Sequence, residues 1–149
     1  MANTQPNFIK SAILWTVTLT NEVVNRSPGA AVPKLLGTSG ASGALIECIE
    51  ICPLGDIVAS PLRIFLKPPG STEYIFRSET SLTSVSGSNN TTAIAGYPIE
   101  VQLPRILSPA SQTPATPNRG LRLPAGYALY AALGTANAGV IVTATGGDY

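Results

Sequence analysis

Short runs of alternating apolar and polar residues, cut off by glycine and proline, recur along the chain and leave little room for helix. In the first run, Ile13, Trp15, Val17 and Leu19 alternate with Leu14, Thr16, Thr18 and Thr20. A period of two sends the two sets to opposite faces of a strand, and β-branched residues suit that geometry. Trp15, the single tryptophan, is expected to anchor a core.

The same pattern predicts further strands. Over 45–51, Leu45, Glu47, Ile49 and Ile51 would share one face, with Ile46, Cys48, Glu50 and Cys52 on the other. Over 57–67, Leu62, Ile64 and Leu66 alternate with Arg63, Phe65 and Lys67. Pro61 lacks an N–H, so an edge strand or a bulge is expected there. Pro68-Pro69-Gly70-Ser71 is a strong turn and should join this strand to residues 73–77 as a hairpin. Leu82 and Val85 suggest a short strand, and residues 93–103 hold another alternating run from Pro98 to Leu103. Residues 127–133 and 139–147 supply the last two.

Seven to nine strands with turns at short spacing predict a single all-β domain, an antiparallel β-sandwich or a barrel. Residues 11–149 are expected to form that domain. Long loops are expected at 25–43 and 104–122. The first holds two prolines and four glycines, which argues against regular structure across most of it. Within the second, Pro109, Pro114 and Pro117 predict a stiff extended connection over 108–118.

Only 11% of the residues are charged, against about 25% in ordinary soluble domains. A neutral polar surface is easier to desolvate than an ionic one, so this composition suits a subunit that hides its skin in an assembly. The net charge is +1 and the nine basic residues are scattered. No basic stripe with interleaved aromatics is present, so nucleic acid is not an expected partner. No uninterrupted apolar stretch reaches membrane-spanning length, and no membrane partner is expected. The polar start, Met-Ala-Asn-Thr-Gln-Pro-Asn, carries no signal-peptide pattern.

The sequence contains no histidine. That removes Ser-His-Asp and Cys-His catalysis and the commonest metal ligand. The carboxylates Glu22, Glu47, Glu50, Asp56, Glu73, Glu79, Glu100 and Asp148 form no local facing pair of the kind a glycosidase needs. Cys48 and Cys52 would lie about 13 Å apart on a regular strand, too far for a disulfide. They read as reduced, buried small hydrophobes. A zinc site would need two more ligands, and neither a second cysteine pair nor a histidine supplies them. The expectation is therefore no enzyme, no cofactor and no metal. Asn89-Asn90-Thr91-Thr92 contains two overlapping glycosylation acceptor patterns, but reads more simply as a turn.

Toward the C-terminus, Leu123-Pro124-Ala125-Gly126-Tyr127-Ala128-Leu129-Tyr130-Ala131-Ala132-Leu133-Gly134 precedes Gly139-Val140-Ile141-Val142-Thr143-Ala144-Thr145-Gly146-Gly147-Asp148-Tyr149. This resembles the closing hairpin of the small jelly-roll proteins that decorate or cement the capsids of tailed bacteriophages, including cyanophages. The resemblance implies a jelly-roll fold, a homotrimer, and attachment to the lattice of the major capsid protein. It places the protein on the virion surface, assembled in the host cytoplasm, with loops and an N-terminal arm over 1–10 reaching neighbours. Candidate contact residues are Phe8, Leu35, Leu36, Arg119, Arg122, Tyr127 and Tyr130. The alternative is a tail or fibre head domain that binds a host glycan or receptor, with Tyr74, Tyr97, Tyr127 and Tyr130 as candidates.

Overall fold

The computed structural model describes residues 10–29, 31–86, 97–103 and 120–149. Nine strands lie among them: β1 (Ser11–Leu19), β2 (Lys34–Thr38), β3 (Ala44–Pro53), β4 (Ser60–Lys67), β5 (Ile75–Leu82), β6 (Ile99–Glu100), β7 (Leu121–Leu123), β8 (Ala128–Leu133) and β9 (Val140–Asp148). No helix among the described residues is long and apolar enough to cross a membrane.

The chain doubles back on itself. The turn Pro68–Ser71 starts the fold-back: Ser71 N–H donates to the Pro68 carbonyl, and Gly70 takes a positive φ of 71°. Proline followed by a positive-φ glycine at the two central positions is what a type II turn requires. Outward from that turn, β4 pairs β5, β3 pairs β6 and β7, β2 pairs β8, and β1 pairs β9, all antiparallel. The outermost pair joins Ser11 to Asp148. Two further pairings, β3 with β9 and β4 with β8, knit these into two sheets. One runs β1-β9-β3-β6 with β7 also on β3, and the other runs β2-β8-β4-β5. The protein is thus an all-β domain of two antiparallel sheets.

The core lies between the two sheets. Ile13, Leu19, Ile46, Ile49, Ile51, Val140 and Val142 of the first sheet meet Leu36, Leu62, Ile64, Leu129 and Leu133 of the second in one buried cluster. Each buried aliphatic side chain of this kind contributes about 1.5–3 kcal/mol. Alternation along β4 sends Leu62 and Ile64 inward and Arg63, Phe65 and Lys67 outward, as their sequence period predicts. The hairpin around Pro68–Ser71 forms as expected.

Other expectations are corrected. Within the 25–43 segment one short strand, β2, is present where a loop is expected, and its register shift between Leu35 and Gly37 lets the glycine-broken strand pair with β8. In β3 the simple alternation fails. A register shift between Ile46 and Cys48 inserts Glu47 as an extra residue, so Ile46, Ile49 and Ile51 all face inward while Cys48, Glu50 and Cys52 share the outer face. The cysteines are free, with Cys48 half-buried and Cys52 exposed, so they are not core hydrophobes. Pro61 sits in an interior strand rather than an edge. It is the second residue of β4 and precedes the ladder with β8, which begins at Leu62, so its missing N–H costs no rung there. Trp15 is half-buried against the core rather than enclosed by it. Finally, β8 and β9 do not pair as a closing hairpin, because they belong to different sheets. The N-terminal arm up to residue 9, the 108–118 connection and the Asn89–Thr92 motif lie outside the described residues.

Candidate interaction face

The outer face of the β2-β8-β4-β5 sheet carries a continuous apolar row. Leu35 pairs with Tyr130, Tyr130 with Phe65, and Phe65 with Phe76, so one line of side chains crosses all four strands. Directly paired residues project from the same face of a sheet and touch. Phe65 is fully buried beneath its neighbours, whereas Leu35 and Phe76 at the two ends are 48% and 36% exposed. Phe65 and Phe76 meet edge to face at 5.9 Å between centroids, and Tyr74 and Tyr130 at 5.0 Å. Lys67 lays its ammonium 4.9 Å from the Tyr74 ring centre. Val24 and Ala132 complete this second, smaller apolar cluster, which is separate from the main core.

An ion network borders the row. Arg63 Nε donates to Glu79 Oε2 at 2.7 Å, and Arg26 Nη2 donates to Glu79 Oε1 at 2.8 Å. Arg63 Nη1 also donates to the Val24 carbonyl at 2.6 Å, tying the segment after β1 down over the sheet. The hydrogen bonds from Arg26 and Arg63 hold the Glu79 carboxyl down at about 2. The face is therefore amphipathic: a rigid aromatic strip, apolar at its open ends and flanked by guanidinium and ammonium groups. That chemistry is suited to docking, because aromatic and arginine side chains dominate the energetics of protein interfaces.

The structure scatters the sequence-derived candidates. Leu35 and Tyr130 fall together in the row. Leu36 points the other way and is 6% exposed in the main core, so it is not available to a partner. Alternation along β2 separates these two neighbours. Tyr127 is partly buried against the main core, and its carbonyl accepts from the Ser39 N–H at 2.9 Å. Arg122, on β7, is exposed and lines an open hollow of about 510 Å³ with Ser42, Pro124 and Tyr149. Phe8 and Arg119 lie outside the described residues. Of the tyrosines considered for a glycan, Tyr97 packs on the core and Tyr74 meets Tyr130 edge to face.

Two groupings were not anticipated from the sequence. Phe65 and Phe76 complete the row; the outward alternation of Phe65 was visible, but its register with β5 and β8 was not. On the opposite sheet, Cys48, Glu50 and Glu100 bring their ligand atoms within 4.8 Å of one another. Glu50 and Glu100 are direct cross-strand partners in the β3–β6 pair. Burial, with the charges of Glu100 and Glu50, pushes the Cys48 thiol up. A cleft of about 230 Å³ opens beside them, lined by Glu47, Cys48, Glu100, Val101, Gln102 and Leu103.

Compared with protein-family models, with curated proteins and with solved structures, the chain gives no match.

Proposed function

We propose that this chain is a non-catalytic jelly-roll subunit of a virus particle: a capsid decoration or cement protein of a tailed bacteriophage. It binds as a homotrimer to the lattice of the major capsid protein at the capsid surface, after assembly in the host cytoplasm. The observation that carries this reading is the Leu35–Tyr130–Phe65–Phe76 row, an apolar strip whose two ends stand exposed on the outside of a sheet.

The nested pairing supports the jelly-roll part. A chain folded double, its paired strands dealt between two antiparallel sheets ordered β1-β9-β3-β6 and β2-β8-β4-β5, is the arrangement on which that part of the reading rests. The sparse charge supports the assembly part, since few ionic groups must be stripped of water when the surface is covered. The mechanism is thermodynamic. Every 100 Å² of apolar surface buried in the lattice contributes about 2.5 kcal/mol gross, less the cost of ordering loops and side chains. A trimer engages three such contact sets at once and multiplies the effect.

Native mass spectrometry at micromolar concentration tests the reading. A trimer that co-sediments with phage heads is the expected result. A stable monomer that ignores them overturns it.

A second reading rests on the hollow at Arg122. Arg122, Tyr149 and Ser42 line it together, side chains of the kinds that give an acidic sugar a charged, a stacking and a hydrogen-bonding contact. This favours a fibre head domain that binds a host glycan. Glycan-array binding lost in Arg122→Ala supports it, and a blank array removes it.

A further inference from the structure

We propose that Cys48, Glu50 and Glu100 form a binding site for a borderline divalent transition-metal ion of the Zn²⁺ type, with solvent completing the coordination. Three features of the fold point to it.

First, the donors come from separate parts of the chain and differ in kind. Cys48 and Glu50 stand two residues apart on the outer face of β3, and Glu100 faces them from β6. A thiolate with two carboxylates suits zinc, which accepts sulfur and oxygen ligands together. Hard cations such as Mg²⁺ and Ca²⁺ take oxygen donors and have no use for the thiol.

Second, the bulge at Glu47 creates the arrangement. In an unbroken strand Cys48 and Ile46 would share a face. The inserted residue turns Ile46 into the core and leaves Cys48 beside Glu50. Bulges re-aim side chains in this way next to functional sites.

Third, the register opposes two like charges. Glu50 is the direct cross-strand partner of Glu100, an arrangement that destabilises a sheet unless something neutralises it. The ion pairs among the described residues are Arg26–Glu79, Lys34–Glu22 and Arg63–Glu79, and none reaches Glu50 or Glu100. A bound dication removes the repulsion and fastens β6, which holds β3 by only two paired residues.

The donor atoms already lie within 4.8 Å of one another. Ligands about 2.0–2.3 Å from a tetrahedral zinc stand roughly 3.5 Å apart, so side-chain rotations of about 1 Å close the site. The adjoining cleft leaves a coordination position open to water. On binding, the Cys48 thiol proton passes to solvent and the sulfur binds as thiolate.

Titration of the purified chain with Zn²⁺ and, as a spectroscopic probe, Co²⁺ tests the site. One equivalent should bind, with a thiolate-to-cobalt charge-transfer band and tetrahedral d–d absorption. Cys48→Ser should abolish the charge-transfer band, and Cys52→Ser should keep it. Glu50→Gln and Glu100→Gln should each weaken binding at least about tenfold. Thermal melts guard against misfolding. Without metal, Glu100→Gln should melt at or above the unsubstituted protein, because it removes repulsion, yet lose the upward shift that Zn²⁺ gives the latter. No binding below millimolar metal overturns the proposal. So does binding without the charge-transfer band, or a band lost in Cys52→Ser but retained in Cys48→Ser.

Discussion

Gly37 of β2 lies against the indole of Trp15 of β1, so closely that a β-carbon on residue 37 would stand 2.0 Å from Cδ2 and 2.4 Å from Cγ. The two strands belong to different sheets. The contact therefore joins the sheets along the side where β1 and β2 are both edge strands. A glycine is needed there because of the ring.

Gly37→Ala should destabilise the domain by about 1–3 kcal/mol, the usual cost of forcing extra volume into a packed site. Denaturant unfolding followed by far-ultraviolet circular dichroism measures it. Trp15→Phe in the same background should recover part of the loss, because a smaller ring vacates the space a methyl needs. Strictly additive effects in that double-mutant cycle would mean the two residues do not interact.

Glu79 makes the stability of the outer sheet face depend on acid. Its carboxyl is depressed from 4.5 to about 2 by hydrogen bonds from Arg26 and then Arg63. A depressed carboxyl contributes stability above its unfolded value and loses it as the pH falls toward the folded one. Stability should therefore decline between about pH 4.5 and pH 2. In Glu79→Gln the decline over that window should be shallower, with about 1 kcal/mol less stability at neutral pH, the scale of partly exposed ion pairs. Urea unfolding from pH 2 to pH 7 compares the two curves. Parallel acid limbs would show that Glu79 is not the group responsible.

Asn137 pins the connection between β8 and β9. It is 8% exposed; its Oδ1 accepts from Val58 N–H at 2.7 Å, and its Nδ2 donates to the Thr135 carbonyl at 3.2 Å. Asn137→Ala should strand the Val58 N–H and cost about 1–3 kcal/mol. Hydrogen exchange locates the effect: the Val58 amide should lose protection first, while the β1–β9 ladder stays protected. Uniform loss across the sheet would instead mean that the residue supports global stability only.

The strands were legible in the sequence wherever one face is buried and the ladder is regular, as in β4, where Leu62 and Ile64 alternate with Arg63 and Phe65. Legibility failed where an extra residue or a glycine interrupts the period. The extra residue at Glu47 reverses the face of Ile46, and the shift at Gly37 hides β2 inside what reads as a loop. The interaction face was half visible. Leu35 stands out as an apolar residue of a glycine- and proline-rich segment and Tyr130 as an aromatic in an alanine-rich run, but their partners Phe65 and Phe76 are set by registers between distant segments. Glu50 and Glu100 are fifty positions apart, and nothing local in either run announces the other. Pairings with large sequence separation are decided by the whole core, so no window of residues can report them.

The apolar row gives the sharpest separation of fold from assembly. Leu35 and Phe76 are its exposed ends, 48% and 36% accessible. Replacing both with lysine should leave the two-sheet fold standing, at a cost of about 1 kcal/mol for the lost Phe65–Phe76 edge-to-face contact. The same change places two charges where a partner must exclude water, and a buried unpaired charge is far costlier than a lost apolar contact. Leu35→Lys/Phe76→Lys should therefore fail to associate while keeping its β-rich circular dichroism. Leu14→Lys is the control, since Leu14 is 72% exposed on β1 of the other sheet. If sedimentation velocity finds Leu14→Lys dissociated and the double variant still assembled, subunits meet through the opposite sheet, and the aromatic strip serves only to brace β4 against β5.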